Sequence, residues 1–214
     1  MCRSGLVSER LAGGDIVLVT GASSGFGKLT ASFLAERGYV VFGTSRKAPG
    51  ASRDSFEMVQ LDITSDQSVK ESVSTILQKA GRIDVLVNNA GQAQTGGLEE
   101  TSIEEAKAHF DSNFFGAVRM VNAVLPDMRR RRRGRIINLA SLAATFPVPF
   151  EGYYAAAKDA DPKEVAETIV EIIERPSPAL HYAVGKEKSS LLLKRVLPNS
   201  VLESLTRRHW RLDR

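Results

Sequence analysis

Short apolar runs alternate with longer stretches of helical spacing along most of this chain. Residues 15–20, 39–44, 56–61, 84–88 and 135–139 are each dominated by apolar positions. Such runs mark strands buried on both faces, as in a parallel sheet. Between them the spacing changes. Residues 28–37 place Leu29, Phe33 and Leu34 on one helical face, with Gly38 as the stop. Residues 65–80 predict a second helix entered at Thr64 or Ser65. A long helix over 102–128 is expected to break near its start or at Pro126. Strands and helices in this alternation imply βαβ units with right-handed crossovers, an α/β fold with a doubly wound parallel sheet.

Past residue 153 the pattern shortens. Residues 154–158 are helical in spacing, but Asp161-Pro162 starts a fresh helix almost at once, Asp as N-cap and Pro at the first position, running to about Glu174. A last short strand is expected over 180–184 and a basic amphipathic helix over 189–212. No repeat is present. The reading is one domain over 1–214, with a core at 15–158 and a shortened C-terminal part at 159–214.

Composition narrows the classes. With 43% hydrophobic and 25% charged residues, the chain resembles an ordinary soluble globular protein. The single cysteine, Cys2, rules out an internal disulfide framework and favours a reducing, cytoplasmic setting. No run approaches the roughly 20 apolar residues of a membrane helix, and the first residues lack a signal peptide's apolar centre. No metal-ligating cluster is expected. The net charge of +4 is outweighed by Arg129 to Arg133 alone. With Arg135, that run is either a solvated helix end opposing the dipole or a nucleic-acid or anionic-lipid patch. No aromatic residues interleave with it, so no nucleic-acid partner is expected. The 189–212 segment either covers an apolar edge of the domain or makes weak contact with a membrane surface or partner.

Candidate chemistry lies at the strand ends. Thr20-Gly21-Ala22-Ser23-Ser24-Gly25-Phe26-Gly27 joins the first strand to the first helix. Glycines there let backbone approach a pyrophosphate, and the amides of Ser23, Ser24, Gly25 and Phe26 at the helix start favour an anion. The second strand ends Thr44-Ser45-Arg46-Lys47, without the carboxylate that NAD's ribose hydroxyls favour. Ser45 and Arg46 suit a 2′-phosphate instead, so NADP is expected ahead of NAD.

These residues, with Asn88-Asn89-Ala90-Gly91, Asn113, Ser141 and Tyr154-x-x-x-Lys158, make residues 15–158 resemble the short-chain dehydrogenase/reductase family in its commonest subgroup. The resemblance implies a Rossmann-type sheet and hydride transfer between NADP(H) and a carbonyl or alcohol. Its further segments are similar to members acting on steroids, retinoids or other lipid-like carbonyls. It implies that Asp62 and the Ile63 amide bind adenine and that Asn89, Ala90 and Gly91 line the adenine-side ribose. It also implies that Asn113 completes a water-linked proton path from Lys158, and that homo-oligomers are common.

Hydride delivery to a carbonyl builds negative charge on oxygen, so a proton must arrive with it. An ordinary phenol, with a pKa of about 10, is a poor donor near neutrality. Tyr154 and Lys158 are four residues apart and share a helix face, so the ammonium and the oxidised nicotinamide ring both favour the phenolate, and the two residues are expected among the cofactor contacts as well. Ser141, at the end of the fifth strand, would hold the substrate oxygen. Tyr153 lacks such a lysine.

The family pattern continues after its Tyr-Lys pair with a long helix, a sixth strand, a Pro-Gly turn and a substrate loop. Here Lys158 leads directly to Asp159-Ala160-Asp161-Pro162. The reading is an internal deletion of about one βαβ unit, about 30 residues or more. Either the strand at 180–184 moves beside the fifth strand, the expected outcome, or the sheet has a gap. The alternative function is accordingly a cofactor-binding pseudoenzyme or inactive shortened form.

Overall fold

The computed structural model describes residues 14–47, 55–92, 100–140 and 162–175. Five parallel strands, β1 (Ile16–Val19), β2 (Val40–Ser45), β3 (Glu57–Gln60), β4 (Val85–Asn88) and β5 (Arg135–Asn138), form one sheet in the order β3-β2-β1-β4-β5. The helices are α1 (Gly25–Glu36), α2 (Asp66–Ala80), α3 (Ile103–Phe110), α4 (Gly116–Arg131) and α5 (Pro162–Glu174). A π-helical turn, Asp111–Phe115, joins α3 to α4. The doubly wound α/β architecture is as expected.

Alternation along the strands builds two cores. Val17, Val19, Val85 and Val87 face α1 and α5, meeting Ala31, Leu34, Ile169, Val170 and Ile173. Ile16, Leu18 and Leu86 face α2 and α4, meeting Val69, Val73, Ile76, Met120 and Val124. Successive side chains point to opposite faces, and each large one fully buried contributes about 1.5–3 kcal/mol. All positions of β1 and β4 are buried, whereas in β3, at the sheet edge, only Val59 is.

The ends of the strands differ from the expected bounds by a residue or so, but two differences matter. Helix α1 begins at Gly25, not Lys28. Its first turn lies inside the glycine motif, so its first amides open toward the end of β1. In place of the expected break near its start, the long helix passes through the π turn with helical backbone on both sides, and Pro126 leaves α4 continuous. Pro126 is exposed, where water can meet the backbone carbonyl that the proline leaves without a donor.

The arginine run is also different from a purely solvated helix end. At the heads of β1 and β4 lie three buried carboxylates, Asp15, Asp84 and Asp127. Arg131 reaches Asp84 at 2.9 Å and Asp127 at 2.7 Å, and Arg133 reaches Asp15 at 3.0 Å. Arg82 adds a 2.8 Å bond to Asp84, which also accepts the Ile16 N–H at 2.9 Å. Burial opposes the Asp84 charge, but the Ile16 N–H, Arg82 and Arg131 outweigh it and hold the carboxyl below its ordinary range. Arg135, on β5, donates to the Ile172, Ile173 and Arg175 carbonyls and caps α5 at its C-terminal end. Arg129, Arg130 and Arg132 are exposed.

Candidate functional site

The crevice opens at the C-terminal ends of β1 and β4, the neighbours from which the sheet order runs outward in both directions. In open α/β sheets this switch point is where ligands bind. Thr20 directly follows β1 and is buried. Its hydroxyl accepts the Asn89 and Ala90 amides at 3.0 and 2.9 Å and donates to the Val87 carbonyl at 3.3 Å. The Asn89 side-chain amide donates to the Thr20 and Gly21 carbonyls at 2.9 and 3.1 Å. The Gly21 N–H reaches the Thr44 hydroxyl at 3.4 Å, and the Ala22 N–H the Thr44 carbonyl at 2.8 Å. Three strand ends are thereby tied together by neutral hydrogen bonds. Thr20 and Thr44 were not among the expected site residues. Their signal in the sequence was a threonine closing each of two apolar runs.

The β1–α1 turn presents bare backbone. Gly25 has φ +57, a left-handed conformation, and a Cβ there would have nothing within 4 Å. Gly27 is the opposite case, since a Cβ would lie 2.4 Å from both the Asn89 side-chain nitrogen and the Gly21 carbonyl oxygen. The turn therefore packs tightly below and stays open above. Ser24 is the N-cap of α1 but makes no side-chain capping bond. Ser23, Ser24 and Gly25 are exposed, and Phe26 packs against the core. Amides at an uncapped helix start, beside an open glycine, suit a pyrophosphate. The residues present thus fit a dinucleotide.

At the end of β2, Ser45 is half-buried and Arg46 exposed. Arg46 is anchored through its carbonyl, which accepts from the Gln60 side chain at 3.2 Å. Asp62 accepts the Thr64 hydroxyl at 2.7 Å and the Thr64 N–H at 2.9 Å. Those bonds lower its carboxyl below the ordinary range, with smaller help from the charges of Arg46 and Arg119. Ile63 follows Asp62 and packs against Gly116 at the start of α4.

Asn113 lies in the π turn. Its oxygen accepts the Gln92 N–H at 2.7 Å, its nitrogen donates to the Gln92 carbonyl at 2.9 Å, and that nitrogen lies 2.8 Å from Nε2 of His109. The Asn113 turn is thus bound to the segment that carries Asn89, Ala90 and Gly91. His109 and Gln92 were not anticipated, and nothing in the sequence spacing marks them. π turns inside helices recur at functional sites. Ser141, Tyr154 and Lys158 lie outside the described residues, as do the expected strand at 180–184 and helix at 189–212. Among the described residues no group of His, Cys, Asp and Glu could hold a metal, and no helix is long and apolar enough to cross a membrane.

Residues 15–167 match the family model described as short chain dehydrogenase. Among curated proteins, the chain is 48% identical over 144 residues to 3-ketodihydrosphingosine reductase of Bacteroides thetaiotaomicron, covering 67% of this chain and 53% of that one. It is 42% identical over 155 residues to retinol dehydrogenase 8 of Homo sapiens, covering 66% and 49%. The chain spans about half the length of these curated relatives. Among solved structures, a short-chain dehydrogenase from Streptomyces avermitilis superposes with a TM-score of 0.75 at 25% identity, covering 94% of this chain and 97% of that one.

Proposed function

The chain belongs to the short-chain dehydrogenase family, and from that premise we propose that it moves hydride between NADP(H) and a carbonyl or alcohol of lipid-like character. The observation that carries the reading is the open backbone cradle at Gly25, at an uncapped helix start, with Arg46 beside it at the end of β2. The cradle suits the pyrophosphate. Arg46 and Ser45 suit a 2′-phosphate, the charged bond contributing about 1.5–3 kcal/mol. Asp62 and the Ile63 amide take the adenine, and Asn89 to Gly91 line the adjoining ribose. The bound nicotinamide supplies the hydride or accepts it.

The proton side falls to this chain's own residues. Tyr154 gives up or takes the proton at the substrate oxygen, Lys158 favours its phenolate, and Ser141 holds that oxygen. Asn113, tied to Gln92, holds the water-linked path from Lys158. The names of two relatives, a ketodihydrosphingosine reductase and a retinol dehydrogenase, support a lipid-like substrate. Cytoplasmic residence is part of the proposal. So is association of two copies, for which the exposed apolar row of Ile103, Phe110, Phe114, Phe115 and Val118 is suitable. A second reading, cofactor binding without turnover, is favoured by the run Asp159-Ala160-Asp161-Pro162, which follows Lys158 where the family pattern continues its helix.

Turnover of NADPH against a panel of long-chain ketones and aldehydes tests the first reading. It predicts turnover that Tyr154→Phe abolishes while NADPH affinity stays within about twofold. Binding without any turnover would establish the second reading in its place.

A further inference from the structure

Arg119 has no catalytic or cofactor-binding role in the proposed function, yet its guanidinium joins the stretch 63–66 to the π turn. Nε donates to Oδ1 of Asp66, the first residue of α2, at 2.6 Å. Nη1 reaches the Ile63 carbonyl at 3.4 Å and the Asp111 carbonyl at 3.3 Å. Nη2 donates to Oδ1 of Asp111, the first residue of the π turn, at 2.7 Å. One side chain thus binds the loop of Asp62 and Ile63 to the turn that carries Asn113.

The arms are unequal. The Asp66 side chain is 76% exposed and that of Asp111 37%, while Arg119 itself is only 25% exposed. A well-solvated ion pair contributes little, so the 2.7 Å pair with Asp111 is the stronger of the two, and the carbonyl contacts at 3.3 and 3.4 Å add weaker support. They need a planar fork that meets several acceptors at once, which guanidinium provides and ammonium does not. Gly116 adds a second contact to the same loop, since a Cβ there would lie 2.9 Å from the Ile63 side chain. The charge of Arg119 also helps to keep the Asp62 carboxyl ionised.

We propose that Arg119 is a positioning residue that transmits occupancy of the adenine end of the crevice to the Asn113 turn. It rests on the reading of Asp62 and Ile63 as the adenine contacts. A ligand that fixes the Ile63 backbone fixes the carbonyl that Arg119 grips, and through Asp111 it restrains the π turn. Asn113 is then held against Gln92 when a cofactor is bound, and less so otherwise.

The probe is adenosine 2′,5′-bisphosphate, which reaches only the adenine half. Amide hydrogen exchange of residues 111–116 in the full chain, with and without saturating bisphosphate, reads the coupling. In the unmodified protein, exchange there slows on binding by at least about fivefold, the lower end of typical coupling. In Arg119→Met at saturation the slowing is lost. Arg119→Lys, which keeps charge and length, loses it as well and serves if the methionine variant fails to fold. A side chain that merely stabilised the fold would speed exchange in the unbound variant and leave the slowing on binding intact. That result, or slowing preserved in both variants, overturns the inference alone. Failure of the unmodified chain to bind the bisphosphate overturns the adenine reading and the inference with it.

Discussion

The two ends of the sheet are held by opposite chemistry. At the heads of the strands, buried Asp15, Asp84 and Asp127 are clasped by Arg82, Arg131 and Arg133. At the tails, Thr20, Thr44, Asn89 and Asn113 hold the loops through neutral hydrogen bonds. A buried charge must be matched on the spot or it costs several kcal/mol. Among the described residues the buried carboxylates are therefore gathered at the heads, away from the crevice. Neutral hydroxyls and amides shape the crevice without competing for a dinucleotide's phosphates. On the proposed function, one end carries stability and the other recognition.

The largest effect should come from breaking the charged end. Asp84→Asn leaves Arg131 partly buried with a lost partner and should cost about 3–5 kcal/mol in urea unfolding. NADPH affinity of the folded fraction should change less than about twofold, and a larger change would break the division between the ends. The pH dependence has a definite sign. The folded carboxyl titrates below its unfolded value of about 3.9, so its contribution is complete above that value. It is lost as pH falls through the lower, folded value. Acid unfolding should accordingly begin at higher pH when other carboxylates are left to carry it in Asp84→Asn.

Next is the open end. Gly25→Val forces a β-branched residue to φ +57 and fills the space above the turn. The strain is about 1–3 kcal/mol, and NADPH affinity should fall about 100-fold in a fluorescence titration. Smaller is Arg46→Ala, which should weaken NADPH binding about 10- to 100-fold, the loss of one charge-assisted bond. NADH binding should hardly change. The smallest is Ser65→Ala, which removes the 3.2 Å bond from the Ser68 N–H at the start of α2. About 1 kcal/mol of stability should be lost in thermal unfolding, with binding untouched.

The sequence made this division only half legible. The apolar runs led directly to the parallel sheet, because β1 and β4 are buried at every position and such strands admit few polar residues. The glycine motif disclosed the cradle, since Gly25 and Gly27 meet constraints that other residues violate. The arginine run did not disclose its role. Whether Arg131 faces water or Asp84 depends on a partner 47 residues away, which local spacing does not encode. The same holds for Thr20 with Asn89 and for Arg119 with Ile63, pairs joined only by the crossover topology. The π turn was visible only as a break expected near the helix start.

The central claim is that the end of the sheet shaped by Thr20, Thr44 and Asn89 is a dinucleotide crevice built for NADP(H). Paired fluorescence titrations of the intact chain with NADPH and NADH test it most directly. The account predicts saturable NADPH binding at least about tenfold tighter than NADH, with the difference abolished in Arg46→Ala. Equal affinity for the two would contradict the NADP assignment. Absence of binding to either would contradict the crevice itself.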